Sequence, residues 1–99
     1  MGQAIWKYTL SIADEQSITM PVNSEIISVQ NQYGNLVVWA VVDDSELAMK
    51  DRREFRVIGT GHEITRSLEG WQFIGTVQMA NGALVWHVFV DDPLRRTPA

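Results

Sequence analysis

Apolar and polar residues alternate with a period of two along most of this chain, and that period predicts strands. From Ile5 to Ile12, the residues Trp6, Tyr8, Leu10 and Ile12 share one face, while Lys7, Thr9 and Ser11 share the other. That is the pattern of a half-buried strand. Asp14-Glu15 marks a turn, and Gln16–Met20 reads as a second short strand that Pro21 stops. Glu25–Gln32 predicts a third, with Ile27 and Val29 facing one way and Ile26 the other. Tyr33-Gly34-Asn35 is a hairpin signal. The run that follows, Leu36–Asp43, is apolar on both faces, Leu36, Val38, Ala40 and Val42 against Val37, Trp39 and Val41. Such a strand belongs in the middle of a sandwich or at a contact between subunits.

Residues 44–51 break the period. Asp44 or Ser45 can cap one or two helical turns over 45–50, because Leu47, Ala48 and Met49 favour helix; a charged loop is the alternative. Arg52–Thr60 returns to strand with Phe55, Val57 and Gly59 on one face, and Gly61–Gly70 is polar and turn-like. Trp71–Met79 and Ala83–Asp91 are the last two strands, joined by Asn81-Gly82. Both residues of that dipeptide tolerate positive φ, so a two-residue type I′ loop sets the register. Met79 then faces Leu84, Val77 faces Trp86, Gly75 faces Val88 and Phe73 faces Val90. The core face would hold Trp71, Phe73, Val77, Met79, Leu84, Trp86, Val88 and Val90, with Trp86 covering Gly75. The opposite face carries Ile74, Val85, His87 and Phe89, which is too apolar for open water and calls for a cover. The expected fold class is all-β, a small antiparallel sandwich or barrel of about seven strands, with one short helix at 45–50 as an option. Residues 1–92 form a single β-rich domain, and 93–99 a flexible C-terminal tail.

Composition narrows the function more than the fold. Ninety-nine residues with 45% hydrophobic content suit one globular domain. Cysteine is absent, which removes disulfides, thiolate metal sites and thiol nucleophiles together. A net charge of −4 argues against duplex nucleic acid as a partner. The first residues lack a basic leader and apolar stretch, so no secretory signal is expected. Leu36–Val42 is too short to cross a bilayer, and a cytoplasmic location follows as the expectation.

Candidate chemistry is sparse. No serine sits in a G-x-S-x-G elbow, and His62 and His87 are not spaced as a metal pair. No metal or cofactor is expected. Gly59-Thr60-Gly61-His62-Glu63-Ile64 has the glycines of a phosphate loop but neither a following helix nor a lysine at the required spacing; a sharp turn is the plainer reading. Arg52-Arg53-Glu54-Phe55-Arg56 is the one basic cluster inside the expected domain. Arg52 and Arg56 share strand parity and would project from one face roughly 13 Å apart, a spacing suited to two phosphates. Charges on a solvated edge strand are the plainer explanation. If a nucleotide is held, the candidates are Arg52, Arg56, His62 and Arg66 for phosphate, with Trp39 or Tyr33 stacking on a base. A small hydrolase using His62 with Glu63 or Asp91 is a third, weaker option.

Several segments carry a likeness: Ile5-Trp6-Lys7-Tyr8, Met20-Pro21, Val37-Val38-Trp39-Ala40-Val41, Arg53-x-Phe55-x-Val57-x-Gly59-Thr60-Gly61-His62, Phe73-Ile74-Gly75-Thr76-Val77-Gln78 and Leu84-Val85-Trp86-His87-Val88-Phe89. On these the chain resembles a family of small phage and prophage proteins of unknown function, over nearly everything from residue 5 to 90. The resemblance implies a phage or prophage origin and brings no reaction with it. The expected function is a non-catalytic binding protein that counteracts host defence in the host cytoplasm, by sequestering a nucleotide signal or occupying a host protein. The excess of apolar strand faces adds a homo-oligomer to the expected partners. The alternative is a structural or virion accessory protein acting only through protein contacts.

Overall fold

The structure is a computed structural model that describes residues 2–91. Seven strands, β1 (Gln3–Leu10), β2 (Gln16–Pro21), β3 (Glu25–Gln32), β4 (Asn35–Asp43), β5 (Lys50–Gly59), β6 (Trp71–Met79) and β7 (Leu84–Asp91), follow the expected segments closely. They form two antiparallel sheets, β1-β4-β3 (sheet A) and β2-β5-β7-β6 (sheet B), so the all-β expectation holds in its sandwich form. The expected tail over 93–99 lies outside the described residues.

The helical option at 45–50 is corrected, because the segment is a turn. Its short polar side chains take the backbone donors locally: Asp43 Oδ1 accepts from Ser45 N–H at 2.9 Å and Ser45 Oγ from Leu47 N–H at 3.2 Å. Only Ala48 N–H closes a turn, on the Ser45 carbonyl, and Val22 N–H then takes the Met49 carbonyl at 2.8 Å. Side chains that bond nearby backbone compete with helix, and one turn is too short to repay nucleation.

The core lies between the sheets. Leu36, Val38, Ala40 and Val42 of β4 face Phe55 and Val57 of β5 and Val88 and Val90 of β7, all of them buried. The even residues of β1, with Tyr8 and Leu10 foremost, point inward as their alternation predicts. The β3 expectation is corrected by a bulge: the register shifts between Ile26 and Ser28, so Ile26 and Val29 both reach the core while Ile27 stays exposed. One extra residue reverses the facing of everything beyond it.

The outer face of β4 is closed partly by the chain itself. Val37 points away from the core yet is only 2% exposed. Lys7 sits beside Trp39 on one flank of β4, and Gln32 beside Asn35 on the other. Lys7 Nζ donates to Gln32 Oε1 at 2.8 Å, so the bridge crosses β4 above Val37 and its methylenes shield that side chain. Trp39 and Val41 beyond the bridge remain half-buried.

The β6–β7 connection centres on Asn81-Gly82 as expected, with Asn81 at φ 57, ψ 33, Gly82 at φ 89 and Ala83 N–H on the Ala80 carbonyl at 3.1 Å. Ala80 also takes a positive φ of 51, so the loop spans 80–83 and the expected Ala80–Ala83 strand pair is lost. The register holds from Met79–Leu84 to Gly75–Val88, and then shifts between Phe73 and Gly75. Phe73 therefore pairs with Phe89 rather than Val90, which moves it from the expected core face to the outer one, while Ile74 turns in to the core. The expected cover for Gly75 is also corrected. A Cβ on Gly75 would lie 2.6 Å from Val29 Cγ1, so β3 of the opposing sheet, not Trp86, occupies that space.

One inward-facing phenol titrates with folding. Burial disfavours the charged form, so the Tyr8 hydroxyl is pushed above its usual value of 10.0. A raised folded value means that this contribution is complete below the unfolded value near 10 and is lost as pH rises through the folded one. Urea midpoints at about pH 8 and about pH 11 should therefore fall less for Tyr8→Phe than for the natural chain.

Candidate functional site

Loop 61–70 folds over the outer face of sheet B. It is held there by Arg56, which β5 alternation turns away from the core. Arg56 Nη1 donates to the carbonyls of Arg66 at 3.1 Å and Ser67 at 3.3 Å. Its guanidinium lies 5.5 Å from the centroid of the Trp71 ring. The side chain is only 3% exposed, and its Nε has no partner among the described residues. An arginine so placed fastens the loop to the sheet; its donors are turned to carbonyls, not to solvent.

On either side of this fastening lies a hollow. Toward the loop's start is an open groove of about 280 Å³ floored by Ile58 and Phe89 and rimmed by Thr60, His62, Ile64 and His87. Gly59 lets the loop turn tightly here, since a Cβ would meet the His62 ring at 2.8 Å and Trp86 at 3.0 Å. His62 N–H closes the turn on the Gly59 carbonyl, and its ring meets Trp86 edge-on with centroids 6.0 Å apart. His87 is hydrogen-bonded through Nε2 to Thr60 Oγ1 at 2.7 Å and through Nδ1 to Thr76 Oγ1 at 2.9 Å. The imidazole is thus fixed between two hydroxyls, whichever nitrogen carries the proton. Beyond the groove the bulge sets Phe73 against Phe89, with ring centroids 5.4 Å apart.

Toward the loop's end is a hollow of about 440 Å³ lined by Glu15, Glu54, Glu69, Arg66 and Trp71. Arg66 is ion-paired with Glu15 there. Three carboxylates around one paired guanidinium give a negative local potential that repels phosphate.

The ligand-binding residues expected from sequence are divided by the fold. Arg52, Arg56, His62 and Arg66 lie on the sheet B side: Arg52 is exposed and donates to Ser17 Oγ at 2.8 Å, Arg56 is enclosed, and Arg66 joins the acidic hollow. Trp39 lies on the outer face of sheet A, and Tyr33 is 97% exposed on the β3–β4 turn. The arginines and the two stacking candidates are therefore not brought together. Asp91 is likewise remote from His62. It is held by Arg53 Nε at 3.2 Å, about 16 Å along β7 from the Trp86 that His62 touches.

Thr60, Thr76, Phe73 and Phe89 were not among the candidates. Thr76 and His87 were nonetheless findable, because the Asn81-Gly82 register sets them opposite each other on the outer face. Phe73 carried no such signal, since nothing in the pattern marks the bulge.

A family profile described as a domain of unknown function, DUF7352, matches residues 1–97. The chain belongs to the DUF7352 family. No curated protein and no solved structure matches it significantly. No helix in the described part of this DUF7352 domain is long and apolar enough to cross a membrane. Among its described residues, no cluster of histidine and carboxylate side chains could hold a metal.

Proposed function

We propose that this DUF7352 domain is a non-catalytic binding protein of phage type that acts in the host cytoplasm by occupying a host protein through the outer face of sheet B. One observation carries the reading: Ile64, 53% exposed, rims a groove floored by Ile58 and Phe89, and Phe73, 54% exposed, extends that apolar floor by packing on Phe89 beyond it. A bulge turns Phe73 outward while Ile74 takes the inward place, and bulges gather beside functional surfaces. Exposed aromatic and aliphatic groups around fixed hydroxyl and imidazole partners suit the burial of an apolar side chain with a polar rim. The phage setting is supported by the sequence resemblance alone.

His87 supports binding over hydrolysis. Both its nitrogens are taken by threonine hydroxyls, which leaves no place for the carboxylate that would orient a general base. Holding a nucleotide signal is the second reading, favoured by the exposed Arg52 and opposed by the three glutamates beside Arg66.

The test is capture from host lysate with the natural chain and with Phe73→Asp, alongside calorimetry with cyclic and linear nucleotides. A stoichiometric partner retained by the natural chain and lost by a folded Phe73→Asp variant is the expected result. Equal capture by both would refute the groove. Nucleotide binding abolished by Arg52→Ala would favour sequestration instead. Co-purification with virions, unaffected by Phe73→Asp, would favour a structural accessory role.

A further inference from the structure

We propose that two copies of this chain associate edge to edge through β1, joining their three-stranded sheets into one continuous antiparallel sheet. The proposal concerns sheet A and stands apart from the groove on sheet B. Two open sheets have four edge strands, here β1, β3, β2 and β6. An edge presents unpaired backbone groups and templates pairing with another chain unless something blocks it. Three of these edges are blocked. β2 is only six residues long and ends on Pro21, which has no N–H to offer. β3 and β6 each carry a bulge, between Ile26 and Ser28 and between Phe73 and Gly75. β1 has none of these devices. It pairs with β4 at every position from Gln3 to Leu10 without a register shift, and contains neither proline nor glycine. Its single charge, Lys7, is drawn across β4 to Gln32 instead of guarding the edge.

The strand is also complementary to itself. A two-fold axis that joins identical antiparallel edges must run perpendicular to the sheet, and it keeps each residue on its own face. Opposed residues share a face, so one residue must lie opposite its own copy. Axes at Trp6 or Lys7 give the longest overlap of β1 with itself. An axis at Lys7 would set two ammonium groups against each other, which is unfavourable. An axis at Trp6 sets Trp6 against its copy, Ile5 opposite Lys7 on both sides, and Ala4 opposite Tyr8. It withdraws from water the ring of Trp6 and Ile5, which is 60% exposed. Because the axis preserves faces, both sheet B grooves then open in the same direction, and the dimer offers two equal sites side by side.

The register makes opposite predictions for two charges at one position. Sedimentation of the full chain should give twice the 11.2 kDa of one protomer at about 100 μM and dissociate on dilution. Ile5→Lys sets two like-charge pairs against Lys7 and should raise the dissociation midpoint about tenfold or more, whereas Ile5→Glu sets two ion pairs there and should keep the dimer. A monomeric natural chain overturns the proposal. So does any other pattern: loss in both variants would point to the apolar face of sheet A, and retention in both to a contact elsewhere. Should either variant fail to fold, the cysteine-free chain permits a second test. Trp6→Cys should cross-link to its copy under mild oxidation, since directly opposed strand residues lie within disulfide reach. Tyr33→Cys should not, and equal cross-linking of both overturns the interface.

Discussion

Replacing Arg53 with alanine is expected to destabilise the domain by about 3–5 kcal/mol, a large part of the roughly 5–15 kcal/mol that holds an ordinary domain together. Arg53 points inward at the end of the sandwich and is 8% exposed. Its Nε donates to Asp91 Oδ1 at 3.2 Å, Nη2 to the Asp91 carbonyl at 3.1 Å, and Nη1 to the Ser24 carbonyl at 2.7 Å. One planar fork thus ties β5 to the end of β7 and to the turn before β3. Alanine removes three charge-assisted hydrogen bonds and leaves the Asp91 carboxylate buried without that cation. The loss combines the three hydrogen bonds with the weaker compensation of a buried carboxylate, and so exceeds the net worth of the pair. Arg53→Met separates the two contributions, since methionine keeps much of the stem's packing and drops the charge. Combining Arg53→Met with Asp91→Leu should recover part of the single variant's loss, because the buried carboxylate that Arg53 served is then gone as well. Denaturant titrations with an unchanged slope provide the measurement. A loss under about 1 kcal/mol for Arg53→Ala would mean that solvent reaches the pair and screens it.

Gly75→Val should cost an amount at or beyond the upper end of the roughly 1–3 kcal/mol typical of overpacking. A Cβ at this position would approach Val29 Cγ1 to 2.6 Å, inside van der Waals contact. Val29 cannot easily give way, as it is buried and its branched side chain is stiff at χ1. The strain therefore passes into the spacing of the sheets. Val29→Ala supplies the diagnostic. In the natural background it removes buried methyl groups and should destabilise by about 2 kcal/mol. In the Gly75→Val background it makes room and should stabilise. That reversal of sign, read from double-variant unfolding midpoints, is specific to direct contact across the sheets. Additive effects would place the cause elsewhere.

The strands were legible because each is an alternation, and alternation is a property of neighbours in the chain. Tyr8 and Leu10 of β1, Phe55 and Val57 of β5, and the Met79–Leu84 to Gly75–Val88 register of the last hairpin all behave as their local pattern requires. The departures from alternation share one cause. Ile26 and Ile27 exchanged roles at one bulge, and Phe73 and Ile74 at another. A bulge adds a single residue with no obligatory composition, so its cause lies in the partner strand and the opposing sheet. Of the two options at 45–50, helix or charged loop, the helix lost for the related reason that Asp43 and Ser45 found nearer bonds, while Val22, distant in sequence, took the Met49 carbonyl.

For the candidate site the division falls in the same place. By its sequence alone this protein is a cysteine-free, acidic, all-β domain without a catalytic motif, with more apolar strand surface than one core requires. Those conclusions depend on composition and period, which survive any arrangement of the strands. Only the tertiary structure decided how that surplus is distributed. Lys7 and Gln32 close part of one outer face, loop 61–70 fastened by Arg56 closes part of the other, and Phe73, Ile64 and the edge of β1 are left uncovered. The same geometry encloses Arg56 and separates Trp39 and Tyr33 from the arginines. Which residues meet across two sheets depends on register, bulges and loop paths, and these are set by contacts between segments far apart in the chain.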